Sequence, residues 1–183
     1  AVSVPVWNKD TCTQCNQCSV MCPHAVIRPF LMDAEETKKA PAAFASLPAV
    51  GDELKGLNFR IQASPLDCTG CEVCVNVCPT QSLSMKPLSE VSKEQSDNWE
   101  FAMTLTNKGH LVDKTTVKGS QFQPPMIEFN GACAGCGETQ YVKMLTQLFG
   151  SKMVLADAMG CSMVWGGTSG LIPFTKDSKG YGP

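Results

Sequence analysis

The sequence predicts an α+β protein whose first half is one small unit built twice and whose last third opens an α/β unit. Three observations predict it. A cysteine ladder, Cys12-Thr-Gln-Cys15-Asn-Gln-Cys18-Ser-Val-Met-Cys22-Pro23, recurs 56 residues later as Cys68-Thr-Gly-Cys71-Glu-Val-Cys74-Val-Asn-Val-Cys78-Pro79. A short apolar run follows each ladder. Towards the C-terminus a glycine-rich loop, Gly131 to Gly137, leads into a helical pattern and then into a second short apolar run that ends in glycines.

Each ladder reads C-x2-C-x2-C-x3-C-P, the spacing of bacterial two-cluster [4Fe-4S] ferredoxins. Three thiolates at this spacing wrap one loop around one cube. The fourth cysteine starts a short helix that points away, so it reaches the other cube. The pattern therefore pairs Cys12, Cys15 and Cys18 with Cys78, and Cys68, Cys71 and Cys74 with Cys22. Two competing readings fit less well. Disulfide frameworks of secreted domains do not characteristically repeat this spacing with proline behind the last cysteine. Zinc knuckles use paired C-x2-C and have no use for the third and fourth cysteines.

The elements follow in order. After the first ladder, His24-Ala-Val-Ile-Arg28-Pro29 reads as a strand, and Thr80-Gln-Ser-Leu-Ser-Met85 does the same after the second. Residues 1–86 thus form a ferredoxin-like two-[4Fe-4S] domain with an insert at about 30–65. From Pro23 to Asp67 there are 45 residues, long for so small a unit. Asp33 to Lys39 reads as a helix or loop, and Leu57-Asn-Phe-Arg-Ile61 alternates like a strand; the insert as a whole is expected to face something larger. Residues 87–125 read as a linker, with charged and serine-rich composition from Ser89 to Asp97 and a weak strand at Phe101 to Leu105. Residues 126–183 open with the glycine-rich loop, then a helix carrying Tyr141, Met144, Leu145, Leu148 and Phe149 on one face. Gly150 suits the residue after a helix. Met153 to Ala156 reads as a strand, with Cys161 beyond its carboxyl end, where α/β folds bind ligands.

Composition excludes several classes. The formal charge is −2, and each cube held by four thiolates adds roughly −2 more by ligand counting. With no basic block, nucleic acid is not an expected partner. No apolar run is long enough for a membrane span, and the N-terminus lacks a signal pattern.

Eleven cysteines less the eight of the ladders leave Cys133, Cys136 and Cys161. Three is one short of a closed four-thiolate site. The site is open, or another residue type completes it, or the fourth thiolate lies elsewhere. One strand and one helix cannot bury a core, so the 183 residues are expected to be an internal segment of a longer polypeptide. Here Gly131-Ala-Cys-Ala-Gly-Cys-Gly-Glu-Thr139, Gly160-Cys-Ser162 and Trp165-Gly-Gly167, with Val4-Pro-Val-Trp7 and the first ladder upstream, closely resemble the pyruvate:ferredoxin (flavodoxin) oxidoreductases. The resemblance spans nearly the whole chain, least clearly 87–125.

The resemblance implies oxidative decarboxylation of pyruvate with coenzyme A to acetyl-CoA and CO2, using thiamine diphosphate, Mg2+ and three [4Fe-4S] clusters, with ferredoxin or flavodoxin as electron acceptor. It implies that 126–183 begin a thiamine diphosphate-binding domain, that Cys133, Cys136 and Cys161 hold a proximal third cluster with a fourth cysteine from downstream, and that Glu138 and Cys161 line the thiamine site. A homodimer is expected, and the segment alone should be inactive. The expected location is the cytoplasm, or an anaerobic organelle such as a hydrogenosome in a eukaryote. A two-electron oxidation that feeds one-electron cubes calls for carriers in series. Apolar neighbours such as Val20, Met21, Val73, Val75 and Val77 lower cluster potentials, while loop N–H groups raise them.

Blander readings stand beside these. Cys161 could be a buried structural thiol, and Glu138 an ordinary acid at a helix N-terminus. His24 reads as structural, and Trp7 and Trp165 as packing residues. The functional alternatives are a stand-alone two-cluster electron carrier, the electron-transfer module of another 2-oxoacid oxidoreductase, and a fusion that reduces flavin or nicotinamide.

Overall fold

A computed structural model describes all residues, 1–183. The repeat is longer than the ladder. Strand β1 (Ser3–Trp7) precedes the first ladder and pairs antiparallel with β5 (Leu83–Pro87), which follows the second. Strand β4 (Asn58–Ala63) precedes the second ladder and pairs antiparallel with β2 (Ile27–Met32), which follows the first. Trp7 faces Leu83 as Ala63 faces Ile27, and Ser3 faces Pro87 as Phe59 faces Leu31, one register repeated. Each half thus lends its leading strand to the other half's trailing strand, so neither half can form its sheet alone.

The ladder loops obey the same symmetry. Helices α1 (Gln17–Val20) and α3 (Val73–Asn76) each follow a left-handed residue, Asn16 at φ 62° and Glu72 at φ 63°. The other left-handed positions also come in pairs at the repeat spacing: Gln14 with Gly70, and Ala25 with Gln81. Left-handed backbone in non-glycine residues costs roughly 1–2 kcal/mol each. Its recurrence at matched positions marks a loop shape held by function rather than by propensity.

What the sequence places between the halves is narrower than 30–65, because β2 and β4 belong to the repeat. The added stretch holds α2 (Ala34–Lys39) and the two-residue β3 (Leu47–Pro48), which extends the second sheet to the order β2-β4-β3. Helix α2 forms where Asp33 starts a capping box. The Asp33 side chain accepts from Glu36 N at 2.9 Å, and Glu36 accepts from Asp33 N at 3.0 Å.

The stretch read as a linker holds the longest helix, α4 (Leu88–Met103, 16 residues). The strand expected at Phe101 to Leu105 is not formed; Phe101 to Met103 finish this helix. Its composition hid it, because its inner face is largely polar. Gln95 and Asn98 are buried there, and Gln62 of β4 donates to Gln95 Oε1 at 2.9 Å. Trp99 also covers Arg28, whose guanidinium lies 5.2 Å from the Trp99 centroid and 5.5 Å from that of Phe129, the two rings meeting edge-on at 6.4 Å.

The main core lies between the second sheet and the ladders. Fully buried Phe59 stands at its centre, edge-on to Trp7 and Phe122, both at 6.2 Å. Cys18, Cys22, Cys68 and Cys74 belong to the same core. A smaller core gathers Met32, Phe44 and Ala102.

Beyond Thr104 the chain forms the short α5 (Val117–Ser120), then α6 (Thr139–Phe149) and α7 (Cys161–Gly166). Helix α6 forms where the periodicity places it, but it is turned over. Tyr141, Leu145 and Phe149 are exposed, while Thr139, Lys143, Thr146 and Gln147 are buried. The strand expected at Met153 to Ala156 is not formed, and Val154 is 94 % exposed. A strand inside an α/β sheet needs neighbours to satisfy its backbone, and the one β-bridge here joins Ile127 to Phe174. Gly150 does not serve as a left-handed cap. It is right-handed, at φ −48°, and a β-carbon there would lie 2.1 Å from Met126 Sδ, so close packing explains it. No helix is long and apolar enough to cross a membrane.

Candidate cluster sites

The fold brings the eleven cysteines together in three groups. Cys12, Cys15 and Cys18 share one cavity with Cys78, walled by Trp7, Ile61 and Leu83. Cys68, Cys71 and Cys74 share a second with Cys22, walled by Pro5, Val26, Ile27 and Met85. The two hold about 320 and 350 Å³ of space between atoms, part of it open to solvent. These are the two crossed sets the spacing predicts. The crossing follows from α1 and α3. Each carries its ladder's third cysteine in the first turn, and the fourth cysteine follows the helix, where it faces the other loop.

All eleven cysteines are unpaired thiols, and no three cysteine, histidine or carboxylate groups converge tightly enough for a single ion. Four sulfurs around a cavity, rather than around a point, suit a cube. Backbone N–H groups point at the sulfurs in a repeated way. Gln14 N donates to Cys12 Sγ and Gly70 N to Cys68 Sγ, both at 3.4 Å, and Ser82 N donates to Cys78 Sγ at 3.2 Å. The indole N–H of Trp7, on the wall of the first cavity, is buried without a partner. The residues present therefore fit sulfur-rich clusters.

Burial dominates the electrostatics. It pushes the Cys74 thiol up to about 12, with the neighbouring Cys22, Cys68 and Cys71 adding to it. Cys18 and Cys68 are raised for the same first reason. Cys78 runs the other way: burial would raise it, but hydrogen bonds from Thr80 and Ser82 outweigh that and lower it. Buried thiols that resist ionisation need a cation to become thiolates, so metal loading and the final packing of these loops are coupled.

The third group lies on another surface. Cys133, Cys136 and Cys161 line one open cleft with Glu138, Met159, Met163, Val164 and Trp165. Cys133 and Cys161 are exposed and Cys136 half-buried. Glu138 N donates to Cys136 Sγ at 3.4 Å, the contact seen in both ladders. Glu138 stands at the start of α6, but its side chain makes no capping bond. Trp165 is buried and its indole N–H has no partner. The packing roles expected of Trp7 and Trp165 hold, each with an unspent donor at a cysteine cavity.

A chain of contacts joins this cleft to the second cavity. His24 is buried, its Nε2 3.0 Å from the carbonyl oxygen of Ala132, which agrees with its structural reading. Asn130 donates to the Pro23 carbonyl at 2.8 Å and accepts from Ala132 N at 3.1 Å. Arg28 pairs with Glu128. Sequence reasoning missed the residues that brace the ladders from outside. Gln14 donates to the Pro48 carbonyl at 2.8 Å and accepts from Val50 N at 2.9 Å. Asn16 donates to the Lys118 carbonyl at 3.0 Å. Lys143 donates to the carbonyls of Ser19, Val20 and Cys22. For Gln14 and Asn16 the available signal was their ladder position; Lys143 left none.

Comparison with known proteins adds a family and relatives. Residues 11–82 match the 4Fe-4S dicluster domain. The chain is 53 % identical over 183 residues to the mitochondrial pyruvate dehydrogenase [NADP(+)] of Euglena gracilis, covering all of this chain and 10 % of that protein. It is 51 % identical over 185 residues to both the pyruvate:ferredoxin oxidoreductase of Moorella thermoacetica and the pyruvate-flavodoxin oxidoreductase of Enterobacter agglomerans, covering all of this chain and 16 % of each. The chain thus spans between a tenth and a sixth of the length of these relatives.

Proposed function

We propose that the chain, which is similar along its whole length to one segment of pyruvate oxidoreductases, is the counterpart of that segment and carries electrons from a pyruvate-oxidising centre to an external acceptor. The overall reaction turns pyruvate and coenzyme A into acetyl-CoA and CO2, releasing one proton and two electrons. Thiamine diphosphate with Mg2+ supplies the electron sink for the decarboxylation, and [4Fe-4S] clusters supply one-electron storage. Cys133, Cys136 and Cys161 hold the inner cluster with a ligand from outside this segment. The two crossed ladder sets hold the outer ones, and ferredoxin or flavodoxin receives the electrons. Glu138 and Cys161, which line the inner cleft, would also line the thiamine site.

One observation carries the reading: the three cysteine groups line three separate cavities, and the loop of the third is hydrogen-bonded to the turn that follows Cys22. A stand-alone two-cluster carrier leaves that third group without a task. The chain's part is placement. Buried cysteines exclude water from the outer sites, and backbone N–H groups fix the sulfurs. A second reading differs in the acceptor. Two relatives, 53 and 52 % identical, are named for NADP(+) and share only 10 % of their length with this chain. In that reading a further nicotinamide-reducing domain takes the electrons. A cytoplasmic location is proposed, with an organelle as the alternative, since one relative is named mitochondrial.

The test is iron and labile sulfide analysis of the intact enzyme. Three cubes require about twelve irons per segment and two require about eight. Cys161→Ser should lose the inner cluster and pyruvate-dependent viologen reduction, while the ladder clusters stay. A wild-type count of eight overturns the three-cluster reading. NADP+ reduction by the intact enzyme, absent with ferredoxin alone, selects the second acceptor.

A further inference from the structure

Lys143 projects from α6 into the ferredoxin-like unit and is 2 % exposed. Its three ammonium hydrogens suffice for its three acceptors, the carbonyls of Ser19, Val20 (3.1 Å) and Cys22 (3.0 Å). These carbonyls belong to the turn that links Cys18 of the first cavity to Cys22 of the second. No carboxylate pairs with it. The nearest other cation, Arg28, is engaged by Glu128. A buried charge without a counter-charge is expensive, and carbonyl dipoles meet only part of that cost. Burial and Arg28 oppose its charge, while Cys22 and Cys18, one from each set, favour it. With both cubes in place, each bringing roughly −2, the missing counter-charge is supplied.

We propose that Lys143 is the internal counter-cation of the two ladder clusters, raising their reduction potentials, that of the Cys22, Cys68, Cys71 and Cys74 site most. The inference rests on the cluster reading above. It adds that the helix following the third cysteine group sets the electrostatics of the other two. Physically, an added electron is stabilised by a fixed positive charge in a medium of low dielectric. Removing that charge disfavours reduction, so the midpoint moves to more negative potential. Lys143 acts through the field and the turn it holds, so it is a positioning residue rather than a ligand.

The experiment is an EPR-monitored redox titration of the full-length enzyme and of its Lys143→Gln, Lys143→Met and Lys143→Arg variants, with iron counted in each. Gln keeps donors without charge, Met keeps neither, and Arg keeps the charge. The expected result is a shift to more negative potential in Gln and Met of at least about tenfold in the reduction equilibrium, about 59 mV for one electron, with Arg close to wild type. Loss of the second cluster's iron in Gln and Met but not in Arg supports the same role. Full iron with unchanged potentials in Gln and Met overturns it, as does an Arg variant that fails as they do. A wild-type count below eight irons sinks the cluster reading instead, so the two failures are distinguishable.

Discussion

Gly70 and Gly119 show how single β-carbons are excluded for different reasons, and they rank two variants. Gly70 holds φ +71° in the second ladder, and an added β-carbon would lie 2.9 Å from the Ala1 β-carbon. Ala1 is exposed, whereas the backbone oxygen of Ser3, in β1, would lie 3.1 Å from the added carbon. Gly70→Ala should therefore cost the left-handed penalty of about 1–2 kcal/mol plus the small shift that relieves the 2.9 and 3.1 Å contacts. Gln14 already bears that penalty at the matching position of the first ladder. At Gly119 the added carbon would meet the backbone oxygen of Asp113 at 2.0 Å. That carbonyl also accepts from Thr116 Oγ1, and Thr116 in turn caps Gly119 N. Nothing there is soft, so the cost should exceed the usual 1–3 kcal/mol of overpacking. Gly119→Ala should lower the thermal midpoint further than Gly70→Ala. It should also loosen the first ladder, because Asn16 hangs from the adjacent Lys118 carbonyl. Equal midpoints would show that the 113–119 turn yields more readily than its hydrogen bonds indicate.

Helix α2 is a test of one carboxylate serving a whole element. Glu36 completes the capping box, accepts from Thr106 N at 3.0 Å and pairs with Lys108. Burial alone would raise its carboxyl. The bonds from Lys108 and from the Asp33 and Thr106 backbone outweigh that and bring it from 4.5 to about 2. A depressed carboxyl contributes stability that is whole above the unfolded value and is lost as pH falls through the folded one. Protection of the Ala34–Lys39 amides against hydrogen exchange should therefore fall between pH 4.5 and about 2 in the wild type. Glu36→Gln should begin lower and stay flat across that window; a parallel fall in the variant would sink the assignment. From the sequence this segment reads as helix or loop; the cap signal of Asp33 and Glu36 is the feature that decides it. Helix α4 was not legible, because it turns Gln95 and Asn98 inward where periodicity looks for apolar residues. The exchange of β1 and β4 between halves escaped for another reason: strand pairing is non-local, and only the ladders announced the repeat. The cysteine sets were the most legible part of the molecule, since the crossing is built into ladder spacing.

The whole molecule is two cysteine-bearing units locked by a few buried polar contacts. The apolar face of α6 and the unpaired 153–156 segment look outward; α6 joins the first ladder through Lys143, while Thr146 accepts from Met126 N and Gln147 bonds to Gln121 and Gln123, and the third cysteine loop joins Pro23 and His24 through Asn130 and Ala132. Periodicity groups the apolar residues of α6 on one face but says nothing of which neighbour covers it. The lock predicts how the inner and outer sites communicate. Asn130 is buried and holds Pro23, one residue past Cys22, to Ala132, one residue before Cys133. Asn130→Ala removes both bonds, a loss of about 1–3 kcal/mol at net values near 0.5–1.5 each. Neither cysteine set is touched, so all three clusters should assemble and iron content should stay at the wild-type level. The distance between the inner site and the Cys22 site should then broaden, read as weaker spin–spin coupling in the EPR spectrum of the fully reduced enzyme. Pyruvate-dependent viologen reduction should slow while the cluster potentials hold. Asn130→Asp tests the same contact differently, since a carboxylate accepts from Ala132 N but cannot donate to Pro23; it should retain part of the coupling. Unchanged coupling in the alanine variant would mean that the His24 contact and the Arg28–Glu128 pair suffice to hold the third loop, and that Asn130 only fills its pocket.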